Sequence, residues 1–238
     1  MQWWVRIPKA QPHLTVPMNA YDWIIFDSTG TLMTPDPEPA CIYQATARRL
    51  GSRLDVEQIR VNLRAALVRH FFGDTSGQPT DEDAELLRWR RIVADALPDL
   101  RGDQLRHAFD SLWNHFASAE TWRLYDDVLG TLDRLKSEGY LIAVASNFDA
   151  RLQSILSGMK IQDRFDDVLI SSKLGWSKPN TQFYDAAAIR LCAADRSRLL
   201  MIGDTHRGDV LAAQAAGWNA RHLVRDHDGA LSNLTSDL

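Results

Sequence analysis

The chain has 238 residues, 45% of them hydrophobic and 24% charged, a balance suited to one globular domain or to a core with a smaller second domain. Its formal net charge of −4 offers no global attraction to nucleic acid or to an anionic membrane, and no apolar run approaches the ~18 residues of a membrane span. Cys41 and Cys192 cannot build a disulfide framework and form no CxxC pair, so the expected compartment is the cytoplasm and the expected partner a small molecule.

Met1 to Ala20 holds Trp3, Trp4 and three prolines without a clear period and without an apolar stretch long enough for a signal peptide. Residues 1–20 are therefore expected to be an N-terminal extension, with Met18 a possible alternative start. Trp23 to Phe26 is a short apolar run ending at Asp27, the pattern of a buried strand that delivers a polar residue at its tip. Asp36-Pro37-Glu38-Pro39 breaks the chain. From about Ala40 to Phe116 the pattern is helical. Leu86, Trp89, Val93 and Leu97 form one stripe, behind a capping-box-like Thr80-x-x-Asp83; Leu105, Phe109, Leu112 and Phe116 form another. Gly73 to Pro79 is a turn-rich break between helices.

After Tyr125 the texture changes to alternating strands and helices. A helix carrying Leu129, Leu132 and Leu135 ends near Gly139, and the strand Leu141 to Ala145 follows. Then come a helix (Arg151 to Leu156), a strand (Val168 to Ile170), a helix (Gln182 to Leu191) and a strand (Leu199 to Ile202). A last helix (Val210 to Ala216) and strand (His222 to Val224) complete the pattern. Such spacing predicts βαβ units and a doubly wound parallel sheet, with an all-helical insert after the first strand. The expected division is an α/β core of residues 21–36 and 122–238 and a helical cap of residues 37–121.

Ligands in open α/β sheets bind beyond the carboxyl ends of the strands, so the residues at each predicted strand end are the candidates. Asp27 could be a nucleophile, with Gly30 allowing a tight turn around it. Ser146 and Asn147 could donate hydrogen bonds to an anion. Lys178, before Pro179, offers a fixed positive charge near the sheet's edge, where its loss should cost turnover more than stability. Asp204 and Asp209 suit a magnesium ion held by few carboxylates. Each has an ordinary structural reading too: a turn, a surface lysine, a helix cap. Their arrival in one order at successive strand tips makes chance assembly of all four improbable.

At this point the chain resembles the haloacid dehalogenase superfamily. Phe26-Asp27-Ser28-Thr29-Gly30-Thr31-Leu32 is similar to its first motif and Ala145-Ser146-Asn147 to its second. Gly175-Trp176-Ser177-Lys178-Pro179 resembles the third, and Gly203-Asp204 with Asp209 the fourth. The resemblance implies a Rossmann-like core with an inserted helical cap, and a magnesium-dependent phosphohydrolase acting on a small phosphorylated metabolite. It implies Asp27 as attacking carboxylate, Ser146, Asn147 and Lys178 around the phosphate, and Lys178 also holding the nucleophile. Asp27, Asp204, Asp209 and the backbone carbonyl of Thr29 would hold the metal, Asp209 through water.

One position departs from the pattern. Many phosphatases of the family carry a second Asp two residues after the nucleophile to protonate the leaving group; here that residue is Thr29, as in the DKTGT-like segment of P-type ATPases. Losing a general acid typically costs about 10²–10⁴-fold. Two alternatives follow: a metal-free 2-haloacid dehalogenase, and a weakly active binding or regulatory protein. In the cap, Arg48, Arg64, His70, Trp113 and His115 are candidate pocket residues, and His206 stands just beyond the fourth motif.

Overall fold

In chain order the elements are β1 (Trp23–Phe26), β2 (Met33–Pro35), α1 (Pro39–Arg49), α2 (Val56–Phe72), α3 (Glu82–Ala96) and α4 (Gly102–His115). There follow β3 (Trp122–Leu124), α5 (Val128–Ser137), β4 (Leu141–Ser146), α6 (Arg151–Gly158), β5 (Asp167–Ile170) and α7 (Ser171–Leu174). The chain ends with α8 (Thr181–Arg190), β6 (Leu199–Gly203), α9 (Ala212–Ala215), β7 (Asn219–His222) and α10 (Ala230–Leu234). This computed structural model describes residues 19–73 and 78–238; most of the expected extension, Met18 included, and residues 74–77 of the expected break lie outside the described residues.

The short apolar runs pair because a strand buried on both faces can satisfy its backbone only in the middle of a sheet. β1 lies at the centre of a parallel sheet of order β5-β4-β1-β6-β7. Alternate residues feed opposite faces. Ile24, Phe26, Ile142, Val144, Leu200 and Ile202 join one core, with Leu132 and Leu135 of α5 and Leu152 and Ile155 of α6. Ile25, Ala143, Ala145 and Met201 join the other, against Phe183 and Tyr184 of α8 and Ala212 and Ala213 of α9. Each large side chain so buried contributes about 1.5–3 kcal/mol from its transfer out of water. The expected doubly wound α/β architecture with its helical insert is the fold observed.

The insert has its own core, in which Tyr43 and Ala47 of α1, Ile59 and Leu63 of α2, Ile92 and Val93 of α3 and Phe109 and Leu112 of α4 meet. It leaves and rejoins the sheet through one paired ribbon, where β2 and β3 are antiparallel with Met33 opposite Leu124 and Pro35 opposite Trp122. A second tie lies at the start of α3. Thr80 N–H donates to the Gly175 carbonyl (2.9 Å). The Glu82 carboxylate accepts from the Ala150 N–H (3.1 Å) and from Ser172 Oγ (2.5 Å).

Three local expectations are corrected. The cap of α3 is Asp81, whose Oδ1 accepts from the Ala84 N–H, whereas Thr80 donates its hydroxyl to buried Glu85 Oε1 (2.7 Å). The capping box sits instead on α2, between Asp55 and Gln58. The segment after β6 is a wide π-helical turn over His206–Leu211 before the short α9, not one helix from Val210. The last strand is Asn219–His222 rather than His222 to Val224. It is an edge strand whose Arg221 and Asn219 bond outward, to Asp237 and to the Ser197 carbonyl, so the apolar signal of Leu223 marks only the strand's end.

Candidate active site

The parallel register brings the predicted residues to one edge. Phe26 pairs with Val144 on one side and Ile202 on the other, so Asp27, Ala145-Ser146 and Gly203-Asp204 follow on adjacent strands. Neighbouring strands lie about 4.8 Å apart, within reach of one small ligand.

Asp27 is 8% exposed, and its N–H donates to the Ile202 carbonyl (2.9 Å), which extends the ladder one rung past the strand. Lys178 Nζ donates to Asp27 Oδ1 (2.7 Å), to Asp209 Oδ1 (2.6 Å) and to the Ala145 carbonyl (2.9 Å), satisfying all three of its protons. At 4% exposure it is not the surface lysine of the ordinary structural reading but the centre of a buried ion triad. Burial alone would lower its pKa; the carboxylates of Asp209 and Asp27 more than reverse this and keep the ammonium charged. For Asp27, burial dominates and pushes the pKa up to about 7 against the pull of Lys178.

Asp27, Asp204 and Asp209 each bring a carboxylate oxygen within 4.8 Å of the others. Burial and the neighbouring Asp209 raise the pKa of Asp204. Its Oδ1 is buried without a hydrogen-bond partner among the described residues. Three carboxylates around one ammonium leave an excess of negative charge, and an orphaned buried carboxylate oxygen is costly unless a cation meets it. The donor set, all hard oxygens, fits magnesium.

Two glycines make this packing possible. A Cβ on Gly30, which has φ +88°, would lie 2.4 Å from Asp204 Oδ2, and one on Gly203 would lie 2.4 Å from the Asp209 side chain. Asp209 is held from the other side as well, by the Thr205 N–H (3.0 Å).

Ser146 Oγ lies 2.6 Å from Ser28 Oγ, and both are buried. Asn147 is turned toward the lysine loop: its Nδ2 donates to the Lys178 carbonyl (2.7 Å) and its Oδ1 accepts the Lys178 N–H (2.8 Å). That bracket fixes where Lys178 stands, and one amide proton of Asn147 remains for a ligand. Ser146, Asn147 and Thr29 all border the cavity above Asp27.

Several residues around the site carry little signal of their own in the sequence. Ser28 adjoins Asp27 and was readable from that position alone. Tyr184, on α8, hydrogen-bonds the Gly208 carbonyl (2.5 Å) and so props the turn that carries Asp209; nothing local marks it. Asp149 grips Arg151 through both carboxylate oxygens (2.8 and 2.7 Å), and the guanidinium lies over the Trp113 ring at 3.3 Å from its centroid. Of the five candidate cap residues only Trp113 borders the cavity. Arg48 and Arg64 are exposed, His70 pairs with Asp95, and His115 packs edge-on against Phe116. His206 is exposed beside the His222 ring.

A family model described as a haloacid dehalogenase-like hydrolase matches residues 21–217. The Bos taurus haloacid dehalogenase-like hydrolase domain-containing protein 3 is 33% identical over 111 residues, an alignment that takes in 47% of this chain and 44% of that protein, so it spans less than half of the relative. A phosphoglycolate phosphatase of Aliivibrio fischeri is 28% identical over 222 residues, covering 90% of each chain. Among solved structures, a magnesium-bound HAD-hydrolase of Bacillus subtilis is similar in fold, with a TM-score of 0.64 and 16% identity over 87% of this chain and 91% of that one. No described helix is long and apolar enough to cross a membrane.

Proposed function

The chain belongs to the haloacid dehalogenase-like hydrolases, and we propose that within this family it is a magnesium-dependent phosphohydrolase that acts on a small phosphorylated metabolite through an aspartyl phosphate on Asp27. The observation that carries this reading is the geometry around Asp27: one carboxylate oxygen is tied to Lys178, and the side chain shares its edge with Asp204 and Asp209.

In this reading Asp27 attacks phosphorus with the oxygen that Lys178 does not occupy. Lys178 remains charged beside the transferring group and offsets the repulsion between two anions. Ser146 and the second amide proton of Asn147 donate to the phosphate oxygens. Asp27, Asp204 and Asp209, with the Thr29 backbone carbonyl, would hold the metal. When bound, magnesium supplies charge neutralisation for the phosphate oxygens. Water then attacks phosphorus, restores the Asp27 carboxylate and releases inorganic phosphate. Thr29, exposed at the cavity, brings no acid group to either step, so departure of the leaving group depends on that group's own acidity. Residues 37–121 serve as the cap that covers the reacting groups.

Acetyl phosphate tests the reading, because its leaving group needs no proton. Hydrolysis is expected with magnesium, to fall at least about 100-fold in chelator and by about 10⁴-fold or more in Asp27→Asn. Full activity in either case sinks it. Chelator-resistant release of halide from a 2-haloacid would put the dehalogenase in its place.

A further inference from the structure

Above Asp27 lies a cavity of about 360 Å³ between the sheet edge and the helical insert, and its two halves differ in kind. The floor is polar. The roof is built from Tyr43, Leu63, Leu67, Phe71, Trp89 and Phe109 among others, and the described residues of the insert bring no carboxylate, amine, guanidinium or imidazole to it. Arg151 borders the cavity from the core side, but its charge is committed. Nε and Nη2 are clamped by Asp149, itself 1% exposed, and Nη1 donates to the Trp113 carbonyl (3.1 Å).

A leaving group that carries a second anion would therefore bury that charge against apolar walls with no counter-charge, which is strongly unfavourable. An aromatic ring has the opposite preference, because it exchanges water for aromatic neighbours. The roof includes one hydroxyl-bearing side chain, Tyr43. Tyr43 is 2% exposed as a residue and borders the cavity. Burial raises the pKa of this phenol, so it keeps its proton and can donate.

A separate observation points the same way. With Thr29 in the acid position, a good leaving group is favoured. A phenolic oxygen, with a pKa of about 10, departs as an anion far more readily than an alkoxide.

We propose that the substrate is a phosphate monoester of an aromatic alcohol, its ring seated under the roof and one polar ring substituent held by Tyr43 Oη, and that the site discriminates against phosphoesters bearing a second anionic group. The proposal rests on the phosphohydrolase reading. In the transfer, the Asp27 oxygen–phosphorus bond forms as the phosphorus–aryl oxygen bond breaks. The electron pair leaves with the phenolate, which takes its proton from solvent, and water cleaves the acyl phosphate.

The test uses the full chain with magnesium and compares acetyl phosphate, 1-naphthyl phosphate, a ring-hydroxylated naphthyl phosphate and phosphoglycolate. The kcat/KM for 1-naphthyl phosphate is expected to exceed that for phosphoglycolate by about 100-fold or more. Naphthol, but not glycolate, should inhibit acetyl phosphate hydrolysis competitively. Leu63→Lys, which places a cation in the roof, should narrow the preference at least about tenfold. Tyr43→Phe should remove an advantage of about 3–10-fold for the hydroxylated ring. Because these variants can misfold, the wild-type comparison decides. Acetyl phosphate hydrolysis combined with equal or better use of phosphoglycolate overturns the aromatic substrate alone. No acetyl phosphate hydrolysis at all takes down the phosphohydrolase reading and this one with it.

Discussion

The floor and the roof of the cavity are assembled from opposite materials. On the floor, buried charges are paired within a few ångströms: Lys178 spends every proton on Asp27, Asp209 and a carbonyl, and Asp204 Oδ1 is buried without a partner among the described residues. In the roof, helices α1 to α4 supply aliphatic and aromatic surface and the phenol of Tyr43. Chemistry needs fixed charge held out of water, where each electrostatic contact is worth more. Selection among leaving groups needs shape and apolar contact, which discriminate weakly between similar sizes and strongly against stray charge. The two halves should therefore answer differently to mutation.

The effect that reaches stability and turnover together is expected at Lys178. Lys178→Ala leaves Asp27 and Asp209 buried without their counter-charge, which should cost about 3–5 kcal/mol of stability as well as about 10²–10³-fold or more in turnover. Denaturant unfolding, run beside the activity assay, reads both. Unchanged stability would mean that the triad is looser than its distances imply, and the contrast between floor and roof would weaken.

Thr29→Asp sharpens the comparison by restoring to the floor what it lacks. Alkyl phosphates should speed up by as much as about 10²–10⁴-fold, aryl phosphates far less, and a trapped phosphoenzyme should decay sooner. If both substrate types gained equally, some other group, with His206 the nearest histidine in sequence to the fourth motif, would already be supplying the proton.

A smaller effect belongs to the tie between insert and core. Glu85 is fully buried, accepts from Thr80 and Arg88, and leaves Oε2 unpartnered among the described residues. Burial raises its pKa, with Arg88 opposing. A raised folded-state pKa means that the group's stabilising contribution is present below its unfolded value, about 4.3, and fades as pH climbs through the folded one. Wild type should thus lose stability from acid toward neutral pH relative to Glu85→Gln. Parallel stability curves for the two proteins would remove Glu85 as a pH-dependent element of the tie.

Much of the core was legible along the chain. β1 begins and ends where the apolar run Trp23 to Phe26 does, and β4, β5 and β6 each fall within a residue of their apolar segments, because a strand buried on both faces must be apolar throughout. Asp27, Ser146 and Asp204 were readable for a related reason: in a parallel sheet the residues at the ends of adjacent strands fall at the same edge, whereas Lys178, beyond α7, and Asp209, in the turn after β6, reach that edge through their contacts. The edge strand β7, with Asn219 and Arg221, escaped this rule because its outer side has no neighbour to demand apolar residues. Other features depended on partners far away in sequence. That Asn147 brackets Lys178, that Asp149 neutralises Arg151 and that Glu82 fastens the insert to α6 and α7 are matters of contact. The roof is the clearest case. Tyr43, Leu63, Trp89 and Phe109 come from four different helices, each with an ordinary amphipathic pattern. A helical period states which side of each helix is apolar, but only the packing of the four decides which apolar residues close the core and which are left facing the cavity.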